Sequence, residues 1–143
     1  MAVLKASRTI QNVMEASFSW TSADTMIDIN GASTGFSSAA AHTVDVINLP
    51  PGACVVSGEI VVTTAFNGST YPIVVGDSAT ADRYLTTGDR KAAALVPLVP
   101  TGYVSLGESI RLTITPTGST TAGACTIRVR YTVAGRANEV QAT

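Results

Sequence analysis

The chain has 143 residues, enough for one domain that buries about 70% of the surface its unfolded form exposes, so its stability requires neither a metal nor a disulfide framework. Only 13% of the residues are charged and the net charge is -1, which excludes the basic surface of a nucleic-acid-binding protein and a polybasic membrane patch. Apolar residues make up 45%, largely Ala and Val, and Ser and Thr dominate the polar remainder, a composition typical of β proteins.

The N-terminus carries no targeting or membrane signal. Residues 1–7 are predicted to form a flexible arm, and residues 8–143 a single domain. No charged start is followed by an apolar stretch, and no run approaches the roughly 20 apolar residues that cross a bilayer. We therefore expect a protein that is made in a cytosol.

Alternating apolar residues, separated by Gly, Pro, Asn and Ser turns, predict eight or nine short strands and no long helix. They lie at residues 8–21, 25–29, 43–49, 53–65, 71–76, 92–100, 103–106, 109–115 and 123–134. A helical turn at Ile10, Val13 and Met14 competes with the first strand, but the alternation of Phe18 and Trp20 favours the strand. The spacing predicts a jelly-roll-like antiparallel β-sandwich of about eight strands.

Turn residues suggest how these strands connect. The last two strands, joined by the loop 116–122, are predicted to form an antiparallel hairpin, and a second hairpin is predicted around Asn67. Gly58 is predicted to mark a bulge or bend where a strand passes from one sheet to the next. Pro97 and Pro100 predict an edge strand or an irregular wall. After the turn at 30–31, residues 32–35 are predicted to be a flexible loop.

Groups suited to catalysis are scarce. The lone His42 precedes a strand without a sequence signal for a partner, which predicts a solvated loop histidine. Nothing places Glu59 and Glu108 together as the paired acids of a glycosidase. The sequence therefore predicts a protein that is not an enzyme, with no catalytic residue and no cofactor.

An acidic loop is the most functional-looking cluster. Its carboxylates at Asp77, Asp82 and Asp89 lack the spacing of a calcium loop, so local pairing of Asp82 or Asp89 with Arg83 or Arg90 is preferred to a metal site.

The chain contains two cysteines. Cys54 and Cys125 are each within a strand-like run, and we expect buried free thiols in preference to a disulfide.

Two side-chain sets remain as candidates for contact. Arg111, Arg128 and Arg130 are predicted to line the wet face of the final hairpin, either as a solvated surface or as forks for the carboxylates of a neighbouring subunit. Trp20, the only tryptophan, is predicted to lie in the core or at a subunit interface.

Several motifs between residues 53 and 139 together resemble the capsid decoration, or cement, proteins of tailed bacteriophages. They are VVTTAFN at 61–67, VGDS at 75–78, DRY at 82–84, ITPTG at 114–118, TAG at 121–123, VRY at 129–131 and GRANE at 135–139. The resemblance implies a jelly-roll protein on the capsid exterior that stabilises the shell by bridging major capsid protein subunits. It implies a homodimer or homotrimer made in the host bacterial cytoplasm, with no nucleic-acid or membrane partner.

Six residues are candidates for contacts in such a role. The candidates for contacts with the capsid or between subunits are Arg111, Arg128, Arg130, Arg136, Glu139 and Trp20. The N-terminal arm is expected to order on the shell or to add a strand to a neighbour's sheet edge. The alternative is a carbohydrate- or receptor-binding β-sandwich of a phage fibre or baseplate, for which the available aromatics are Trp20, Tyr71, Tyr84 and Tyr103.

Overall fold

The computed structural model describes residues 13–134, which form nine strands and no helix. The strands are β1 (Met14–Thr21), β2 (Thr25–Ile27), β3 (Ser33–Gly35), β4 (His42–Ile47), β5 (Ala53–Thr64), β6 (Ile73–Gly76), β7 (Leu95–Pro97), β8 (Ile110–Ile114) and β9 (Ala124–Val133). One sheet has the order β1-β9-β5-β7, a second has the order β4-β8-β6, and β2 pairs with β3. All of these pairings are antiparallel, and the predicted all-β, jelly-roll-like sandwich is confirmed.

The two larger sheets share one apolar core, which follows from strict alternation along their central strands. β8 and β9, one inner strand from each of these sheets, contribute side chains that are only 0–1% exposed. They are Ile110, Leu112, Ile114, Cys125, Ile127 and Val129. The alternation predicted for the last two strands is therefore confirmed. Within residues 13–134 there is accordingly no long apolar helix that could span a membrane.

The predicted hairpins are wrong. β8 lies between β4 and β6, whereas β9 lies between β1 and β5 in the other sheet. Likewise β5 and β6, predicted to pair around Asn67, belong to different sheets. The alternation along a strand indicates which of its side chains are buried, but it does not indicate to which sheet the strand belongs. A connection longer than a tight turn allows the chain to cross from one sheet to the other.

Gly58 does not mark a change of sheet. β5 pairs with β9 from its first residue to its last, and the register shifts between Val55 and Ser57 and between Val62 and Thr64, not at Gly58. A Cβ on Gly58 would lie 2.5 Å from the carbonyl oxygen of Arg128 and 2.9 Å from Cδ1 of Leu98. Glycine is needed here because backbone and core approach closely, not because the strand bends.

Shorter elements differ in part from the sequence prediction. Residues 33–35, predicted to be a flexible loop, form β3, which pairs with β2 around Gly31 at φ 83°. Residues 103–106 form no strand, and only Val104 bridges to Cys54. β7 lies at the edge of its sheet and ends at Pro97, so the predicted edge strand is confirmed.

The predicted environment of His42 is also wrong, because this residue opens β4 with only 7% exposure. Neither ring nitrogen has a hydrogen-bond partner among the described residues, and burial lowers the pKa of His42.

A bulge between Asp45 and Ile47 shifts the alternation of β4. Ile47 therefore enters the core while Val46 is only half-buried.

Both cysteines are free thiols, and Cys125 is buried as predicted. Burial raises the pKa of Cys125 to about 12, so this thiol stays protonated near neutral pH. Cys54 is half-buried, which differs from the expectation of full burial.

Candidate interaction surface

The outer face of the four-stranded sheet carries the side chains that alternate with the core residues. The exposed or half-exposed members on its first two strands are Glu15, Ser17, Ser19, Thr126, Arg128 and Arg130. Cross-strand hydroxyls meet on this face, where the Oγ of Ser19 is 2.8 Å from the Oγ1 of Thr126. The surface is therefore polar and pleated, with its two arginines on β9.

An ion cluster, Arg128, Arg130, Glu59 and Glu15, lies at the centre of this face. Arg130 donates from Nη1 and Nη2 to the two carboxylate oxygens of Glu59, each at 2.8 Å. The hydrogen bonds from Arg130 hold the pKa of Glu59 below its ordinary value, against the opposing effect of burial. Glu15 is more distant, 3.9 Å from Nη2 of Arg130. Arg130 is thus largely committed to its own chain.

Arg128 is the open member of the ion cluster. Its Nη1 lies 3.6 Å from Oε1 of Glu59, and it makes no hydrogen bond to any other residue of the described range. Its side chain is 42% exposed. A guanidinium in this state presents a planar set of donors that suits a carboxylate on another molecule.

Sequence reasoning missed Glu59 as the acid that holds these arginines. The register sets Glu59 opposite Arg128 and Ser57 opposite Arg130. The available signal was a lone acid inside the apolar run of β5, since a carboxylate in such a strand needs a charged partner.

An apolar border, defined by Val56, Leu95 and Val104, flanks the ion cluster on the β7 side. Leu95 pairs with Val61 of β5, and Val104 bridges to Cys54. The border residues are 41%, 61% and 51% exposed, respectively. A charged centre beside an apolar edge is the anatomy of many protein interfaces.

Arg111 does not belong to this face. It lies on β8 in the three-stranded sheet, where its Nε donates to Oδ1 of Asp45 at 2.7 Å. The prediction that Arg111, Arg128 and Arg130 share one wet face is therefore wrong, because β8 and β9 are in different layers. Arg136 and Glu139 lie outside the described residues.

Trp20 lies in the core, the first of the two positions predicted for it, and is 2% exposed. Its Nε1 donates to the Tyr71 hydroxyl at 3.1 Å, and this hydroxyl donates to the carbonyl oxygen of Phe36 at 2.9 Å. Trp20 also stacks on Phe18 and on Phe36, with ring centroids 5.9 and 5.6 Å away, and these two rings are themselves 6.3 Å apart. Within this chain it is a buried anchor of the sandwich.

A second polar cluster, the loop lock, joins Asp77, Arg83, Tyr103 and Glu108. Oδ1 of Asp77 accepts from two amides of its own turn, and Oδ2 accepts from Nε of Arg83 at 2.5 Å. The Arg83 guanidinium lies 3.5 Å from the centroid of the Tyr103 ring. The prediction that Asp82 or Asp89 pairs with Arg83 is therefore wrong, because Asp77 is the acid that Arg83 contacts and both other acids are exposed.

Glu108 completes the loop lock. Its Oε1 accepts from the Tyr103 hydroxyl at 2.6 Å, while Oε2 accepts from Ser105 Oγ at 3.0 Å and from the Leu106 amide at 2.7 Å. These donors, the tyrosine hydroxyl first, lower the pKa of Glu108 to about 2. These hydrogen bonds tie the segment bearing the exposed Val104 and the 81% exposed Leu106 to Glu108.

The acidic loop shows a structural use of its carboxylates. Asp89 Oδ1 accepts from the amides of Tyr71 and Lys91. Within residues 13–134, no group of three or more potential ligands is arranged to hold a metal ion. Of the four aromatics considered for sugar binding, Trp20, Tyr71 and Tyr84 are buried.

Comparison with known proteins finds likeness at the level of fold. The sequence matches no protein-family model and no curated protein. A chain in the capsid asymmetric unit of cyanophage Pam1 is similar over 93% of this chain and 92% of that chain, with a TM-score of 0.60 and 17% identity. A chain in the capsid of Ralstonia phage GP4 is similar over 95% of this chain and 93% of that chain, with a TM-score of 0.55 and 13% identity. The β-sandwich described here is thus a fold found in two phage capsid structures.

Proposed function

We propose that this protein is a structural component of a tailed-phage virion that binds the exterior of the capsid. In this role it bridges major capsid protein subunits, associates with itself as a dimer or trimer, and stabilises the shell. It would be made in the cytoplasm of the host bacterium and join the particle there.

The observation that carries the proposal is the similarity of fold to chains in two phage capsids, which spans more than nine-tenths of both partners in each comparison. Agreement over nearly the whole length of both chains means that the unit compared is the entire domain and not a common motif within a larger protein. The sequence motifs that resemble cement proteins point independently in the same direction.

The outer face of the four-stranded sheet supports the proposal as a contact surface. Arg128 presents unused donors, and the apolar border at Leu95 and Val104 offers area that association would remove from water. The loop lock keeps the border segment in place, which lowers the entropy lost on binding. Such a face stabilises a shell by adding contact area across subunit boundaries, without any chemical step.

The proposal is tested on particles of the phage that carries this gene. Purified virions are expected to contain many copies of the chain, and a difference map between intact and gene-deleted heads should show density on the outer surface. Heads without the protein should assemble yet release DNA at a lower temperature or after removal of divalent cations. Absence of the chain from purified virions would contradict the proposal.

A matched pair of variants tests the face. Arg128→Ala should weaken binding of the purified protein to gene-deleted heads by about tenfold or more, since an interfacial Arg–carboxylate pair is a frequent hot spot. Arg111→Ala, on the other sheet, is the control and should bind like the wild type. Equal binding by both variants would exclude this face as the shell contact.

A further inference from the structure

The sheet edges of this sandwich are not equally protected. β6 is covered by the next segment of chain, where the Tyr84 amide donates to Val75 and the Val75 amide donates to Leu85. β4 carries a bulge, and its Thr43 carbonyl accepts from the Ile29 amide. β7 has only three residues and ends in proline. These are the usual ways by which proteins block edge-to-edge pairing.

β1 is the exception among the described strands. It is eight residues long, contains no proline or lysine, and has a single charge, at Glu15. It forms one side of the four-stranded sheet, with β9 as its neighbour. An edge of this length and composition is a template for another strand.

The backbone groups that β1 turns outward can be identified from its pairing. The Ser22 amide donates to the Gly123 carbonyl at 3.0 Å, and the register continues with Trp20 opposite Cys125. In an antiparallel ladder bonded pairs alternate, so even-numbered residues of β1 bond to β9 and odd-numbered residues face outward.

One outward position is already closed. Asp24 caps Thr21, whose amide donates to Oδ2 at 2.8 Å and whose carbonyl accepts from the Asp24 amide at 3.1 Å. The open row, defined here as Glu15, Ser17 and Ser19, bonds to no other backbone group of residues 13–134.

We propose that the β1 edges of two copies of this chain pair antiparallel about a two-fold axis at Ser17, which joins their sheets into one continuous sheet. In this register Ser17 of one copy faces Ser17 of the other, and Glu15 faces Ser19. Every N–H and C=O of the open row then has a partner, as a buried backbone requires.

The side chains of β1 favour a second copy as the occupant. The same register sets the small Ala16 opposite the large, half-buried Phe18, twice by symmetry, so the inner layer continues without a clash. Glu15 meets a serine and not another carboxylate, which avoids like-charge repulsion. Met14, 47% exposed in the single chain, gains cover at the junction.

Cysteine cross-linking tests the register. In the proposed pairing the two Ser17 Cα atoms are about 5.5 Å apart, within the range of a disulfide. Two Ser19 Cα atoms are offset by four residues, roughly 13 Å along the strand. Ser17→Cys should therefore give a covalent dimer under mild oxidation, whereas Ser19→Cys should behave like the wild type with its own two thiols. Equal cross-linking, or none in either variant, would overturn the proposal.

Proline provides the second test. Ser17→Pro removes an outward N–H but leaves the ladder to β9 intact, whereas Ser17→Ala keeps that N–H. Sedimentation equilibrium should give a wild-type dimer, a dimer at least about tenfold weaker for Ser17→Pro, and little change for Ser17→Ala. A monomeric or trimeric wild type, or a dimer indifferent to proline, would refute β1 pairing.

This inference deepens the self-association in the proposed function. The experiments use purified protein without capsids, so failure of the β1 dimer would leave the capsid role to be decided by its own test. Conversely, a β1 dimer that is absent from virions would uphold the interface and refute the capsid role.

Discussion

The two polar clusters use the same types of side chain for different ends. In the loop lock, Asp77 and Glu108 have both carboxylate oxygens engaged, and Arg83 is held between Asp77 and the Tyr103 ring. In the ion cluster on the four-stranded sheet, Glu59 is shared by two arginines and only one of them makes hydrogen bonds to it. One cluster is closed and the other is left partly open.

The difference follows from burial and from the number of arginines that share one acid, which is one at Asp77 and two at Glu59. The Asp77 side chain is 3% exposed, so an unpaired charge there would be costly and every oxygen needs a donor. The side chain of Arg128 is 42% exposed, so water can satisfy its guanidinium until a partner replaces the water. A closed cluster stabilises the fold, while an open one is available for recognition.

The largest expected effect comes from breaking the closed cluster. Asp77→Ala should lower the free energy of unfolding by about 3 kcal/mol, because Arg83 is left without its anion and two turn amides lose their acceptor. Urea unfolding followed by circular dichroism measures this change.

The matched control is the exposed neighbour Asp82, which forms no hydrogen bond or ion pair within the described range. Asp82→Ala should alter the free energy of unfolding by no more than about 0.5 kcal/mol. Similar losses in the two variants would show that Asp77 has no special role in the loop.

A smaller effect is expected from pH at the far end of the loop lock. The pKa of Glu108 is about 2 in the folded chain, compared with an ordinary value of 4.5. A lowered carboxyl pKa adds stability that is complete above about pH 4.5 and disappears as the pH falls to about 2. The stability advantage of the wild type over Glu108→Gln should therefore shrink across this window.

The tyrosine supplies a control for that titration. Tyr103→Phe keeps the ring beside Arg83 but removes the strongest donor to Glu108, so the pKa of Glu108 should rise toward its ordinary value. When the free energy of unfolding is measured from pH 6 to 2, the decrease that comes from Glu108 should therefore be complete at a higher pH in this variant than in the wild type. Parallel curves for the wild type and Glu108→Gln would contradict the assignment.

The smallest effect on stability is expected in the open cluster. Arg128→Ala should change the free energy of unfolding by no more than about 0.5 kcal/mol, because its one ion-pair partner within residues 13–134 lies 3.6 Å away and its side chain is 42% exposed. Arg130→Ala should lower the urea midpoint further, since it removes both hydrogen bonds to Glu59. The reverse order would mean that Arg128, not Arg130, holds the acid.

The prediction from sequence was most accurate for the buried and exposed faces of a single strand. In β9, Cys125, Ile127 and Val129 alternate with Arg128 and Arg130, and burial follows that pattern. It failed for partners. Arg83 was assigned a nearby acid, yet its contacts include Tyr103, 20 positions along the chain, and the acid of Arg130 lies on β5.

The sequence by itself determined an all-β chain with amphipathic strands, an edge strand ended by proline and a low charge, because these properties depend on residues a few positions apart. Only the tertiary structure decided that β8 and β9 lie in different sheets, that Glu59 holds Arg130, and that the outer edge of β1 has no strand partner within residues 13–134. Strand order and ion pairing depend on the sheet in which each strand lies, and this depends on the path of the loop before it. Packing of the whole core, and not local periodicity, selects that layer.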